Sequence, residues 1–181
     1  MDKLRNLFIL FNFIIIMRAV GIDLAGLETN ETGFCILDFN GEEKVVVKRL
    51  FTDREIIHEI ENINSQKKID IIAIDSPFDF PQNGLYRPCD IKLKNKGFNP
   101  LSPMFPGMKP LTRRGKLLSK ILANEGFKVI EVFSKASEKI LGLDKNKAAN
   151  KDEYDALICA LTVKAYIQGK YEDLNGVIIP K

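Results

Sequence analysis

The stretch "IDIIAIDSPF", residues 69–78, constrains the fold more than any other part of the chain. It is a near-continuous apolar run of strand length, bounded by polar and proline residues. A strand that shows no alternation is buried on both faces, which is the mark of a parallel strand in an α/β sheet. Upstream, "MRAVGIDLAG" reads as a strand closing in a Gly-containing turn. "TGFCILDF" and "KVVVKRLF" are β-rich runs joined by "NGEE", and Asn-Gly is a strong hairpin signal. An amphipathic helix is predicted over residues 53–65. A second, in "LTRRGKLLSKILANEGF", would be capped by Thr112 and stopped by Gly126. "KVIEVF" is a short strand, "SKASEKILGL" a short helix and "KDEYDALICALTVKAY" a long one. A hairpin start followed by right-handed crossovers gives α/β architecture: a five-stranded mixed sheet with helices on both faces.

Length fits this frame, since 181 residues suit one domain with one core. The domain is expected to span residues 17–181. Residues 1–16 hold the apolar run "LFILFNFIII", which is too short to span a bilayer and has no small-residue cleavage site after it. They read as a loosely attached extension or a mis-assigned start in preference to a membrane anchor, with Met17 where a natural start would stand. No stable membrane association is expected, and the oligomeric state is left open.

The single histidine, His58, falls off the apolar stripe of its helix, which argues against histidine triads and histidine zinc sites. Three scattered cysteines without a CxxC pair argue against a disulfide framework and suit a reducing, cytoplasmic setting. The chain carries only +3, yet residues 87–116 hold eight basic side chains against one acid. That segment is +7, which leaves −4 for the rest. It overlaps residues 76–110, which contain seven of the eight prolines. Proline at that density opposes regular helix and central strand, so a long loop is expected, functional or disordered.

The acids carry the chemistry. Asp23 ends the first strand and Asp75 the fourth, and in this topology those strands are parallel neighbours. Either residue alone could merely close an Asx turn. Side by side at about 4 Å they would repel by ~4 kcal/mol at an effective dielectric of 20. A structural role does not call for that pairing, whereas a hard divalent cation does. Asp152 and Asp155, three apart on the last helix, share a face and can reach the same edge. Their competing reading is a helix cap, with Asp152 as N-cap and Asp155 completing an approximate capping box. Glu131, a lone acid on an apolar strand, must face either a basic partner or the metal; the ion pair is the preferred reading. Arg87, Lys92, Lys94, Lys96, Arg113 and Arg114 suit a phosphate backbone, with Tyr86, Phe98 and Phe105 available to stack on bases.

Taken in order, "GIDLAG", "AIDSPF", "YRPCD", "VIEVF" and "KDEYDALICALTVKAY" resemble the domain-of-unknown-function family 429, predicted nucleases with an RNase H-like fold. The resemblance covers residues 17–169, and "KDEYDALICAL" is its most specific piece, similar to the D-x-x-D-A helix of RuvC-type resolvases. It implies a βββαβαβα order, strand order 3-2-1-4-5, and hydrolysis of phosphodiester bonds with Mg²⁺ or Mn²⁺. It carries over Asp23, Asp75, Asp152 and Asp155 as metal ligands, with nucleic acid, DNA or RNA, as partner. After "VIEVF" this chain has Ser134-Lys135 where the family commonly has Pro-Glu. Two other readings remain open. "GIDLAG" is also similar to the first phosphate motif of the actin, hexokinase and chaperone superfamily, although those proteins use two such domains. A non-catalytic nucleic-acid-binding module on the same fold is the third.

Overall fold

The computed structural model describes residues 17–143 and 150–181; the extension at residues 1–16 lies outside the described residues. The chain runs β1 (Met17–Asp23), β2 (Thr32–Phe39), β3 (Lys44–Leu50), α1 (Asp53–Gln66), β4 (Ile71–Asp75), α2 (Pro88–Asn95), α3 (Lys109–Asn124), β5 (Val129–Val132), α4 (Ser134–Leu141), α5 (Lys151–Ile167), β6 (Tyr171–Asp173) and β7 (Val177–Pro180). The sheet order is β3-β2-β1-β4-β5-β7-β6. β1, β4, β5 and β7 are mutually parallel, while β2, β3 and β6 join antiparallel. The first five strands thus take the expected order 3-2-1-4-5.

The sheet has seven strands, not the five expected. The missed pair, β6 and β7, is a hairpin turning through Asn175 and Gly176, both at positive φ (66° and 104°), with Leu174 N–H donating to the Val177 carbonyl (2.9 Å). Two consecutive positive-φ residues are what a tight hairpin requires, and Asn-Gly supplies them. The signal was therefore present in "LNGVII". Its neighbours Leu174, Val177 and Ile179 pack with Cys89 and Leu93 of α2 and Ala136 of α4. That small core anchors the proline-rich segment.

Residues 76–110 are also more regular than their prolines suggest. α2 begins at Pro88, in the first helical turn, where the missing N–H has no partner to lose. α3 begins at Lys109 with Pro110 in its opening turn, three residues before the predicted cap. Thr112 is consequently not a cap. It is buried inside the helix and donates its hydroxyl to the Met108 carbonyl (2.9 Å).

Side-chain alternation along β1 and β4 sends two residue sets to opposite faces. Val20, Ile22, Ile72 and Ile74 meet Ile56 and Ile60 of α1 and Leu118 and Leu122 of α3. Ala19, Ile71 and Ala73 meet Ala156, Cys159, Ala160 and Val163 of α5. On this second face the packing is at backbone distance. A Cβ on Gly21 would overlap the Ala156 carbonyl and the Ala160 amide, and one on Gly33 would overlap the Asp152 carbonyl. Helix α5 thus lies directly on β1 and β2, through alanines on one side and glycines on the other.

Gly21→Ala is expected to destabilise the fold by about 3 kcal/mol or more, because both colliding groups are backbone and cannot rotate away. Chemical denaturation of the variant beside the wild type measures this. A cost below about 1 kcal/mol would mean that α5 does not sit where the structure has it.

Candidate metal and nucleic-acid site

Asp23 and Asp75 are the last residues of their strands and partners in the β1/β4 parallel register, with neighbouring strands about 4.8 Å apart. Their parity is that of Gly21 and Ala73, so both carboxylates stand on the α5 side of the sheet. The turn after Asp23 is fixed at Ala25, whose N–H donates to Thr32 Oγ1 (3.1 Å) and whose carbonyl accepts from Arg114 Nη1 (2.8 Å). Asp75 is partly buried and accepts a hydrogen bond from the Ser134 hydroxyl at the start of α4. Burial is the largest influence on its carboxyl and pushes it up to about 6. Hydrogen bonds from the Ser134 side chain and backbone oppose that, the Asp155 charge adds to it, and Lys135 counters. Ser134 and Lys135 are thus neighbours of Asp75 that no spacing rule revealed.

Asp155 comes from the second turn of α5 and is 9% exposed. Four residues on, the Cys159 thiol reports its surroundings: burial raises it first, then the charges of Asp75, Asp23 and Asp155 raise it further. Three carboxylates from three elements therefore share one neighbourhood. Asp152 sits at its margin. It is half-buried and lines, together with Asp23, Glu31 and Phe51, an open cleft of about 690 Å³. Neither acid is the helix cap. Asn150 holds that place, its side-chain oxygen accepting from the N–H groups of Asp152 (2.9 Å) and Glu153 (3.2 Å). The capping role foreseen for Asp152 thus belongs to the residue two positions earlier.

Among the described residues, no three His, Cys, Asp or Glu side chains stand close enough together to enclose a metal ion. The donor chemistry nevertheless suits a hard cation, since Asp23, Asp75 and Asp155 offer only oxygen. Mg²⁺ is commonly held by one or two carboxylates, with water and substrate phosphate completing its shell.

Glu131 does not belong to this set. It is in register with Ile74, so its side chain lies on the opposite face from Asp75. There it receives both terminal nitrogens of Arg87 (2.7 and 2.9 Å) and the Phe78 N–H (2.8 Å). Burial raises the Glu131 carboxyl, and Arg87 opposes the rise. Arg87 also binds Asp90 through Nε and Nη2 (3.1 and 2.8 Å), forming a buried Asp–Arg–Glu triad. Arg114 is similarly committed, to Asp53 (2.7 Å) and to the Ala25 and Phe51 carbonyls. Both guanidiniums were foreseen as phosphate contacts, but burial and a full set of internal partners make them structural. Lys92, Lys94, Lys96 and Arg113 are exposed. Lys96 pairs with Glu172 (2.8 Å), and Lys94 lies over the Tyr86 ring (3.7 Å).

The chain matches no family model. No curated protein matches it either. Among solved structures it is similar to T. thermophilus RuvC in complex with Holliday junction substrate. The identity is 15%, covering 91% of this chain and 99% of that one, with a TM-score of 0.47.

Two outcomes follow from these electrostatics. Arg87→Ala strands two buried carboxylates and should cost about 3–5 kcal/mol in denaturant unfolding at neutral pH. Adding Asp90→Asn and Glu131→Gln should recover part of that loss. For Asp75, the folded pKa near 6 exceeds the ordinary 3.8, so the folded state binds the proton more tightly. Stability attributable to this group is present below pH 4 and is lost as pH rises through 6. In metal-free buffer Asp75→Asn should therefore match the wild type near pH 4. At pH 7 it should exceed it by roughly 2–3 kcal/mol at most. Melting curves across that range test the sign.

Proposed function

We propose that the chain is a divalent-metal-dependent nuclease that hydrolyses phosphodiester bonds of nucleic acid. One observation carries this reading: Asp23 and Asp75 end adjacent parallel strands in matched register, and the Asp155 charge on α5 is close enough to raise the Asp75 carboxyl. The carboxyl ends of strands are where open α/β sheets take their ligands. Concentrating negative charge there is unfavourable for the protein alone and useful to a cation. The ordered motifs that resemble family 429, closing on "KDEYDALICAL", support the same assignment, and membership of that family is part of the proposal. The three cysteines are buried free thiols, which supports action in a reducing compartment such as the cytoplasm.

In this reading Asp23, Asp75 and Asp155 hold Mg²⁺ or Mn²⁺, with Asp152 contributing from the rim of the cleft. When bound, such a cation activates water and neutralises charge building on the phosphate oxygens. Ser134 orients Asp75 by donating to one carboxylate oxygen. Arg114 acts through the turn after Asp23, holding the Ala25 carbonyl and so the direction of the strand end. Lys92, Lys94, Lys96 and Arg113 provide the exposed positive charge that a phosphate backbone seeks. No histidine is needed at any step. Among the described residues no helix is long and apolar enough to cross a membrane.

The test is a denaturing-gel assay on labelled single- and double-stranded DNA and RNA with Mn²⁺, beside an ATP-hydrolysis assay. Cleavage should occur, and Asp75→Asn and Asp155→Asn should each abolish it with the fold retained. Calorimetric Mn²⁺ titration of the same variants should show at least about tenfold weaker binding. Asp152→Asn should weaken Mn²⁺ binding less and Glu131→Gln not at all, whatever Glu131→Gln costs in stability. Wild-type Mn²⁺ affinity in the Asp75 and Asp155 variants would sink the metal assignment. ATP turnover without cleavage would favour the phosphotransferase reading.

A further inference from the structure

A second cavity, of about 510 Å³, opens in the proline-rich segment on the sheet face to which Glu131 points. The volume is that of a small-ligand pocket. Phe80, Tyr86 and Ile91 wall it, the paired Arg87 and Glu131 form its floor, and Asn83 and Asn175 stand at its mouth. The floor charges already satisfy one another, so they leave no bare charge for an ionic ligand. The cavity instead offers ring faces together with amide donors and acceptors, which is what a neutral, planar, hydrogen-bonding ring requires. Around the mouth stand three exposed lysines: Lys94 over the Tyr86 ring (3.7 Å), Lys92 bonded to Asn175 Oδ1 (2.7 Å) and Lys116 bonded to Asp79 (2.8 Å). A ring to bury, with exposed lysines in contact with the residues that line its cavity, matches one base of a nucleic-acid strand and its flanking phosphates.

The position agrees. Phe78, which also lines the cavity, follows Asp75 by three residues, so the two Cα atoms are at most about 11 Å apart along the chain. The acids stand on the other face of the sheet, so a strand seated here would reach them by passing round the carboxyl ends of β4 and β5. The geometry points to a base pocket: one unstacked nucleobase of a single strand enters between Tyr86, Phe80 and Ile91 while its phosphates meet Lys92, Lys94 and Lys116. This rests on the proposed nucleic-acid substrate and extends it, giving the proline-rich segment the task of gripping a splayed base near the cleavage site.

The experiment excludes metal. With EDTA present, fluorescence anisotropy compares labelled eight-residue DNA and RNA oligomers with an abasic oligomer of equal length. The wild type should prefer a base-bearing strand by between about fivefold and a hundredfold. Tyr86→Ala, and Ile91→Trp to fill the cavity, should each remove most of that preference while abasic binding stays level. Equal affinity for both strands would overturn the pocket, as would variants that weaken both alike. A mononucleotide binding as tightly as the oligomers would overturn the strand assignment. Should the variants melt early, photocrosslinking of wild type to iodouracil-bearing strands decides. Adducts on the peptides holding Phe80 or Tyr86 support the pocket, and adducts only elsewhere overturn it. Since cleavage never enters, a protein that cuts nothing can pass, and a nuclease can fail.

Discussion

The contact between α5 and the backbone of β1 and β2 is the constraint on which the rest depends. A helix normally rides on a sheet over a layer of side chains. Here Gly21 and Gly33 remove that layer, and Ala156 and Ala160 answer from the helix. The closer approach draws the first two turns of α5 down to the strand ends, where Asp23 and Asp75 already stand in register. Asp155 is buried as a consequence, and the Cys159 thiol senses all three carboxylates. The site is thus a by-product of packing: one missing methyl group at position 21 sets how near the acids come.

A second set of charges serves the frame. Arg87 with Asp90 and Glu131, and Arg114 with Asp53 and two carbonyls, tie the proline-rich segment and α3 to the sheet edge. Buried pairs of this kind contribute little net stability over apolar packing, yet breaking one side of them is costly. Their role is positional. They fix the turn behind Asp23 and floor the cavity beside the segment, so the electropositive stretch divides into an inner structural layer and an outer layer of lysines.

That division explains where reading residues in order succeeded and where it did not. Element order and the pairing of Asp23 with Asp75 follow from local periodicity and from the rule that parallel neighbours align their carboxyl ends, while the 3-2-1-4-5 strand order was implied by the family resemblance. Three elements were hidden. The β6–β7 hairpin carries a legible Asn-Gly turn, but its strands are only three and four residues long, and pairing with β5 supplies the order they lack. α2 was masked by proline density, because proline opposes a helix everywhere except in the first turn, where Pro88 stands.

The sequence by itself determined the alternation of apolar runs, hence an α/β sheet covered on both faces, and the four aspartates at element ends where chemistry can gather. Only the tertiary structure decided which charges work together. Glu131 and Asp75 end up on opposite faces because the β4/β5 register sets Glu131 beside Ile74 and Val132 beside Asp75, a pairing between strands that no local pattern encodes. Arg87 and Arg114 look like surface cations in a basic run, and their roles come from carboxylates 44 and 61 residues away along the chain. Burial is a property of the whole packing arrangement. A side chain's charge can be read in the sequence, but the partner that neutralises it cannot.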